Sequence, residues 1–299
     1  MLRVLFIHQN LPGQFRRLIR YLQTRPDVEL VAIGEEAAVA REKLGPKLRT
    51  IGYPKPDGAG EKTHHYLKDF EACVRRGQTV TRVCVELKKQ GWIPDVVICH
   101  PGWGEGLFVK DVFPRARLVV FCEFWWAADG LDVGFDPEYP ASYGRRSPEG
   151  VATYREALCA ELGDSVDWSP VHFLGKLPYA SYRTVLQVSS LHIYLTYPFV
   201  LSWSVLEAMA VGVPVLGSDT APVREVIRDG ENGYLTGFFD SVALADRALE
   251  LIARRDQIAA VGLRGRETVL RNYDFESVGL PAYLELLKPL RQLAEEGDR

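Results

Sequence analysis

Ser202 and Glu207 are the residues whose type and place most directly suggest chemistry. They lie in LHIYLTYPFVLSWSVLEAMAVGVPVL, residues 191–216. An apolar run over Leu191–Tyr197 breaks at Pro198, and a helical pattern follows through Leu201, Val205, Leu206 and Met209. Gly212 ends that helix and Val213–Leu216 reads as a second buried strand, which makes a strand–helix–strand unit of a parallel sheet. Ser202 then stands near the start of a helix at the carboxyl end of a strand. Free backbone N–H groups and the helix dipole favour a phosphate there. Glu207 follows about a turn and a half along the same helix, where a carboxylate can accept hydrogen bonds from ribose hydroxyls. The same pattern also describes an ordinary buried unit with Glu207 turned to solvent.

The amino-terminal half repeats the theme. Arg3–His8 reads as a strand, Gln9–Gln14 as a tight loop, and Phe15, Leu18, Ile19 and Leu22 share one helical face before the strand Val28–Ile33. A glycine in the first loop of a parallel sheet lets backbone approach a phosphate closely, so Gly13 is either such a site or a plain turn glycine. His100 ends the strand Asp95–Cys99, where it meets a ligand or is satisfied by backbone groups. The loop PGWGEG, residues 101–106, lacks the spacing of the dinucleotide fingerprint, yet it follows a strand and precedes the helical Leu107–Val112. Glu105 and Glu123 sit at strand or loop ends, open to acceptor contacts or to solvation.

The segment LEAMAVGVPVLGSDTAPVREVIRDGENGYL resembles the donor-nucleotide segment of family 4 (group 1) retaining glycosyltransferases. Glu207, Gly212, Pro214, Ser218, Asp219, Glu225 and the turn Gly230–Gly233 carry the match. VLFIHQNLPGQFRRL, DVVICHPGWGEGLFVKDVFPRARLVVFCEF and GLDVGFDPEYP resemble one subgroup of the same family. The resemblance implies an α/β protein of GT-B type, with two Rossmann-like domains built on parallel sheets. It implies Glu207 on the ribose of a nucleotide-sugar donor and the amides of Val200, Leu201 and Ser202 on sugar and phosphates. Gly13 would then lie beside the diphosphate and His100 would face the transferred sugar. The reaction implied is transfer to an acceptor hydroxyl with retention. No protein nucleophile, metal or cofactor is implied, the nucleotide sugar being the substrate.

Two departures stand out. The family usually carries a second glutamate eight positions before the ribose-binding one, where this chain has Phe199. After GFDPEYP, Ala141 runs directly into SYGRRSPEG, which resembles a loop from late in the second strand–helix unit of the carboxyl domain. The end of the first domain and the start of the second are expected to be missing, together with the basic loop that neutralises the diphosphate. Arg145 and Arg146 are the nearest basic residues. The strand edges left behind would re-pair into one sheet, pair in trans in a homodimer, or belong to a longer protein. A non-catalytic nucleotide-sugar-binding remnant is therefore the rival reading. A nucleotide-sugar epimerase is a third, lacking an evident acid/base pair.

The chain divides in this reading into an acceptor-side domain over 1–141 and a shortened donor domain over 142–299 with closing helices. Expected strands lie at 3–8, 28–33, 48–53, 95–99, 117–122, 171–174, 192–197, 213–217 and 233–236. Expected helices lie at Thr63–Gln90, Val151–Leu162, Ser241–Ala253, Asp256–Asn272 and Ser277–Leu293. His64 and His65 open the first of these without metal-ligand spacing, and Tyr66, Phe70 and Cys73 recur at helical spacing as core. A hydrophobic content of 47% with 25% charged residues is that of a globular protein. The net charge of −3 and the absence of a basic–aromatic cluster argue against nucleic acid. The five cysteines are scattered, with Cys99 and Cys122 in apparent core strands, which suggests reduced packing residues and a cytoplasmic location. No signal peptide or membrane span is read. The helix GQFRRLIRYLQTR, residues 13–25, joins an apolar stripe to Arg16, Arg17, Arg20 and Arg25, a face able to rest on anionic lipid at the membrane periphery. Serine-hydrolase, Walker and zinc-protease motifs do not occur.

Overall fold

The structure, a computed structural model, describes residues 1–122, 135, 170–172, 174–198 and 200–288. The chain forms two compact units, one of Met1–Trp125 with Asp274–Arg299 and one of Trp126–Tyr273.

The first unit is built on β1 (Leu2–Ile7), α1 (Arg16–Leu22), β2 (Val28–Glu35), α2 (Glu36–Arg41), β3 (Leu48–Tyr53), α3 (Lys68–Lys89), β4 (Val96–Cys99), α4 (Val109–Val112) and β5 (Arg117–Val120). Its strands pair in parallel in the order β3-β2-β1-β4-β5, with Leu5 opposite both Val31 and Val97. Both faces are covered at its centre, which is why β1, β2 and β4 read as largely apolar runs. Leu5, Ile7, Val31, Ile33, Val97 and Cys99 face α3, which answers with Val80, Cys84 and Leu87. Val4, Phe6, Leu30, Ala32, Val96 and Ile98 face α1, which answers with Leu18, Ile19 and Leu22. Each such fully buried aliphatic side chain contributes about 1.5–3 kcal/mol.

Several expectations are corrected here. The apolar stripe of residues 13–25 fills the core, so it is not available to lipid; Arg16 pairs with Glu42 at 2.8 Å and Arg25 with Asp27 at 3.4 Å. Tyr66 and Phe70, expected in the core, are 67% and 64% exposed. A helix of 22 residues is longer than strands of four to eight, at about 1.5 Å against about 3.3 Å per residue. Its first turns therefore overhang the sheet, and burial begins at Gly77. Cys122 is exposed because β5 ends at Val120. Cys84 and Cys99 are buried packing residues, and burial pushes the Cys84 thiol up to about 12.

The carboxyl-terminal segment was expected to close the second domain, but it packs on the first unit. Asp274 caps a π-helical turn over Phe275–Gly279 by accepting from the Ser277 N–H at 2.8 Å, and α10 (Leu280–Leu286) follows. Leu280, Tyr283 and Leu287 join the α1 face of the core. Arg117 donates to the carbonyls of Glu285 at 3.2 Å and Lys288 at 2.9 Å, satisfying the last turn of that helix.

In the second unit α5 (Tyr179–Val188), β6 (His192–Tyr194), α6 (Trp203–Val211), β7 (Val215–Ser218), α7 (Ala221–Arg224), β8 (Tyr234–Thr236), α8 (Ser241–Ala253) and α9 (Arg255–Asn272) follow one another. The sheet is parallel, three-stranded and ordered β6-β7-β8. Val205, Ala208 and Met209 of α6 pack with Val215, Val223, Ile227 and Val269. The strand expected at 171–174 does not form at Val171, His172 or Leu174; Val171 and Leu174 are 42% and 53% exposed. Val171, His172 and Leu174 pair with no strand among the described residues. The helix expected over Val151–Leu162 and the junction near 141 lie outside the described residues, as do Arg145 and Arg146.

Candidate functional site

Both sheets end in loops at the carboxyl edge, where ligands of open parallel sheets bind. In the second unit Ser202 is the N-cap of α6, its Oγ accepting from the Ser204 N–H at 3.3 Å. Its own N–H donates to the Tyr194 hydroxyl at 3.0 Å. Val200 and Leu201 precede it in the loop, so the three residues expected on sugar and phosphates lie together at the helix start. Glu207 lies on the same helix, half-buried against α5. Burial raises the Tyr182 phenol of α5 and the neighbouring Glu207 carboxylate raises it further.

The other matching residues lie at both ends of this sheet, Gly212 and the turn Gly230–Gly233 at its amino end and Ser218 and Asp219 at its carboxyl end. Gly212 ends α6 in the left-handed region at φ 85°. The buried Ser218 Oγ accepts from the Thr196 N–H at 3.2 Å and tethers the loop after β6 to β7. Asn232 accepts from the Arg228 N–H at 2.7 Å and donates to the Val226 carbonyl at 2.9 Å and to Thr268, closing the turn at Gly230–Gly233. Asp219 is held below the usual carboxylate range by its hydrogen bonds with Arg224. Phe199 lies outside the described residues.

In the first unit β1 and β4 are neighbours, so His8 and His100, each following a strand end, come together with ring centroids 5.0 Å apart. Trp103 stacks on His100 at 4.6 Å and 26°. The His8 Nδ1 accepts from the Asn10 N–H at 2.9 Å, so in the neutral ring Nε2 carries the proton and donates to Gln14 Oε1 at 2.7 Å. The His100 Nδ1 accepts from the Gly102 N–H at 3.2 Å, which sets the same tautomer. His8 and His100 are 2% and 5% exposed.

The glycines of these loops are explained by packing. A Cβ on Gly13, whose φ is 49°, would stand 2.3 Å from the His8 Nε2. One on Gly102 would stand 2.7 Å from the His100 ring, and one on Gly104, at φ 97°, 2.3 Å from the Cys73 carbonyl of α3. The PGWGEG loop is thus pressed onto α3 and onto its own histidine.

Glu105 is turned inward and fully buried, away from any acceptor. Its Oε1 accepts from the Tyr53 hydroxyl at 3.0 Å and lies 3.9 Å from the Arg76 Nε. Burial raises its carboxyl above the ordinary range, against the Tyr53 hydrogen bond and the Arg76 charge. Glu123 lies outside the described residues. Sequence reasoning missed His8, Tyr53, Arg76 and Trp103. The parallel endings LFIH and VVICH on adjacent strands were the available signal for the histidine pair.

Among the described residues no group of three or more His, Cys, Asp or Glu could hold a metal ion, and no helix is long and apolar enough to cross a membrane. A cavity of about 470 Å3, lined by Leu2, Tyr21, Arg25, Asp27, Leu284 and Leu287, opens at the amino end of the first sheet, away from these loops.

Two units on parallel sheets, each with its loops at the carboxyl edge, define an α/β architecture of GT-B type. The whole chain is similar in fold to sucrose-phosphate synthase from Thermosynechococcus elongatus, with a TM-score of 0.59 and 15% identity, covering 99% of this chain and 100% of that one. It is similar also to Anabaena Alr3699/HepE, solved in complex with UDP-glucose, with a TM-score of 0.61 and 15% identity over 100% of both chains. Residues 26–173 match the "Glycosyl transferase family 4 group" model and residues 147–254 the "Glycosyl transferases group 1" model. The chain belongs to these glycosyltransferases. It is 33% identical over 108 residues to N-acetyl-alpha-D-glucosaminyl L-malate synthase of Bacillus anthracis, 36% of this chain and 28% of that protein. It is 42% identical over 73 residues to phosphatidyl-myo-inositol mannosyltransferase of Mycobacterium leprae, 24% of this chain and 19% of that protein. The chain therefore matches less than a third of the length of these curated relatives.

Proposed function

We propose that the chain transfers a sugar from a nucleotide-sugar donor to an acceptor hydroxyl, with retention at the anomeric carbon. One observation carries the proposal: Ser202 caps a helix at the carboxyl end of a parallel strand, and Glu207 follows on that helix inside the stretch matching group 1 glycosyltransferases. Glu207 accepts from the ribose hydroxyls, and the backbone of Val200–Ser202 and the helix dipole meet sugar and phosphates. Gly13 sits beside the diphosphate and His100 faces the sugar. In the transfer step the bond from the anomeric carbon to the diphosphate oxygen breaks. The acceptor oxygen bonds on the same face, and its proton passes to the departing phosphate. The chain orients the reactants and stabilises the leaving diphosphate, without a protein nucleophile or cofactor.

The test is to incubate the chain with UDP- and GDP-sugars and follow the anomeric protons by NMR. Sugar released or transferred with the donor's anomeric configuration supports the proposal, and inversion contradicts retention. A binding-only role is the second reading, favoured by Phe199 at the position where the family carries glutamate. Donor binding with neither transfer nor hydrolysis would select it.

A further inference from the structure

The inference concerns what aims His100, and it rests on reading His100 as the group facing the transferred sugar. His100 lies in a loop containing three glycines, Gly102, Gly104 and Gly106, a composition that leaves backbone free unless something fixes it. Arg76 of α3 supplies a fixing point. Its side chain is 12% exposed and its Nη1 donates to the Trp103 carbonyl at 3.3 Å. Its Nε takes no hydrogen bond among the described residues and stays 3.9 Å from Glu105. Among the described residues the guanidinium therefore hydrogen-bonds the Trp103 carbonyl of this loop and only faces the Glu105 carboxylate of the same loop.

A buried Arg–Glu pair is poor evidence for stability, because desolvation offsets its attraction and an apolar pair of like volume does as well. Geometry is what it adds here. With the Trp103 backbone held by Arg76, and Gly104 pressed on the Cys73 carbonyl, the loop that carries the indole is anchored to α3. That indole lies over the His100 ring. The His100 Nδ1 is already bound to the Gly102 N–H, so ring plane and tautomer are both set from this one loop. We infer that Arg76 and Trp103 are positioning residues: Arg76 holds the Trp103 backbone, and the Trp103 indole holds the His100 imidazole in the plane that meets the donor sugar.

The test uses the full chain labelled with 13C-histidine. Among six histidines, the His100 signal is assigned with His100→Gln and is expected to be shifted upfield by the indole above it. Arg76→Gln and Trp103→Leu should both move it towards the position of an unstacked histidine. Both should lower the turnover of sugar transfer or donor hydrolysis by about tenfold to a hundredfold, with affinity for UDP and GDP unchanged. Trp103→Phe, which keeps an aromatic face, should recover most of the turnover lost in Trp103→Leu. Should Arg76→Gln fail to fold, Trp103→Leu carries the test, since it leaves the Arg76–Glu105 pair in place.

An unmoved His100 signal in the folded variants overturns the inference. So does a fall in nucleotide affinity parallel to the fall in turnover, which would mark a general structural role. If the unaltered chain binds no nucleotide sugar, the donor-site reading fails by itself; the His100 signal still reports whether Arg76 and Trp103 set the ring.

Discussion

The carboxyl edges of the two sheets are built differently. In the first unit His8 and His100 are almost fully buried, their tautomers are set by local hydrogen bonds, and Gly13, Gly102 and Gly104 leave no room for a methyl group. In the second, Ser202 and Trp203 are exposed at the start of α6, Glu207 is half-buried, and the adjoining loop is tethered through Tyr194 and Ser218. Among the described residues the first edge rests on a five-stranded sheet covered on both faces, and the second on three strands. Substitutions at the first edge should therefore register in folding and those at the second in binding.

Gly104→Ala should be the most damaging change. Positive φ and a 2.3 Å approach to the backbone carbonyl of Cys73 act together, and the expected loss is about 3–5 kcal/mol of stability in denaturant titration. Gly13→Ala separates two roles for one residue. If packing on His8 dominates, stability falls by about 2–4 kcal/mol; unchanged stability with weakened diphosphate binding would assign Gly13 to the ligand alone. Glu207→Ala should cost about 1–3 kcal/mol of nucleoside diphosphate binding, with an unchanged melting temperature. Equal loss of stability and binding would erase the contrast between the two edges.

The smallest effect is expected at Glu105. Burial holds its carboxyl above the ordinary value of 4.5, so the folded chain keeps this proton more tightly than the unfolded chain. Its contribution is most favourable below that value and declines as pH rises through the folded pKa. Glu105→Gln should remove that decline. Melting temperatures of both proteins between pH 4 and 8 measure it. An identical decline in the variant would show that Glu105 is not its source.

The central strands of the first sheet were legible because burial on both faces makes them apolar runs, and Val28 marks an observed boundary. The helix over Ser241–Ala253 was equally plain from its spacing, and Asp240 caps it by accepting from the Ala243 N–H at 2.8 Å. Spacing could not say where α3 stops touching the sheet, so Tyr66 and Phe70 were placed inside. Nor could it show that 274–288 return to the first unit, since an apolar helical face does not name its partner. At the site, Ser202 and Glu207 were legible because one short segment contains strand, cap and acid. His8 was not, because its neighbour His100 is 92 positions away and meets it only through strand order. Glu105 was misjudged for a related reason: the side chains that turn it inward, Tyr53 and Arg76, come from β3 and α3.

Calorimetric titration of the chain and of Glu207→Ala with UDP, GDP and their sugar conjugates tests the central claim most directly. Saturable binding of at least one nucleotide sugar is expected, weakened in Glu207→Ala at unchanged melting temperature. Equal affinity of a folded Glu207→Ala for that nucleotide would contradict it.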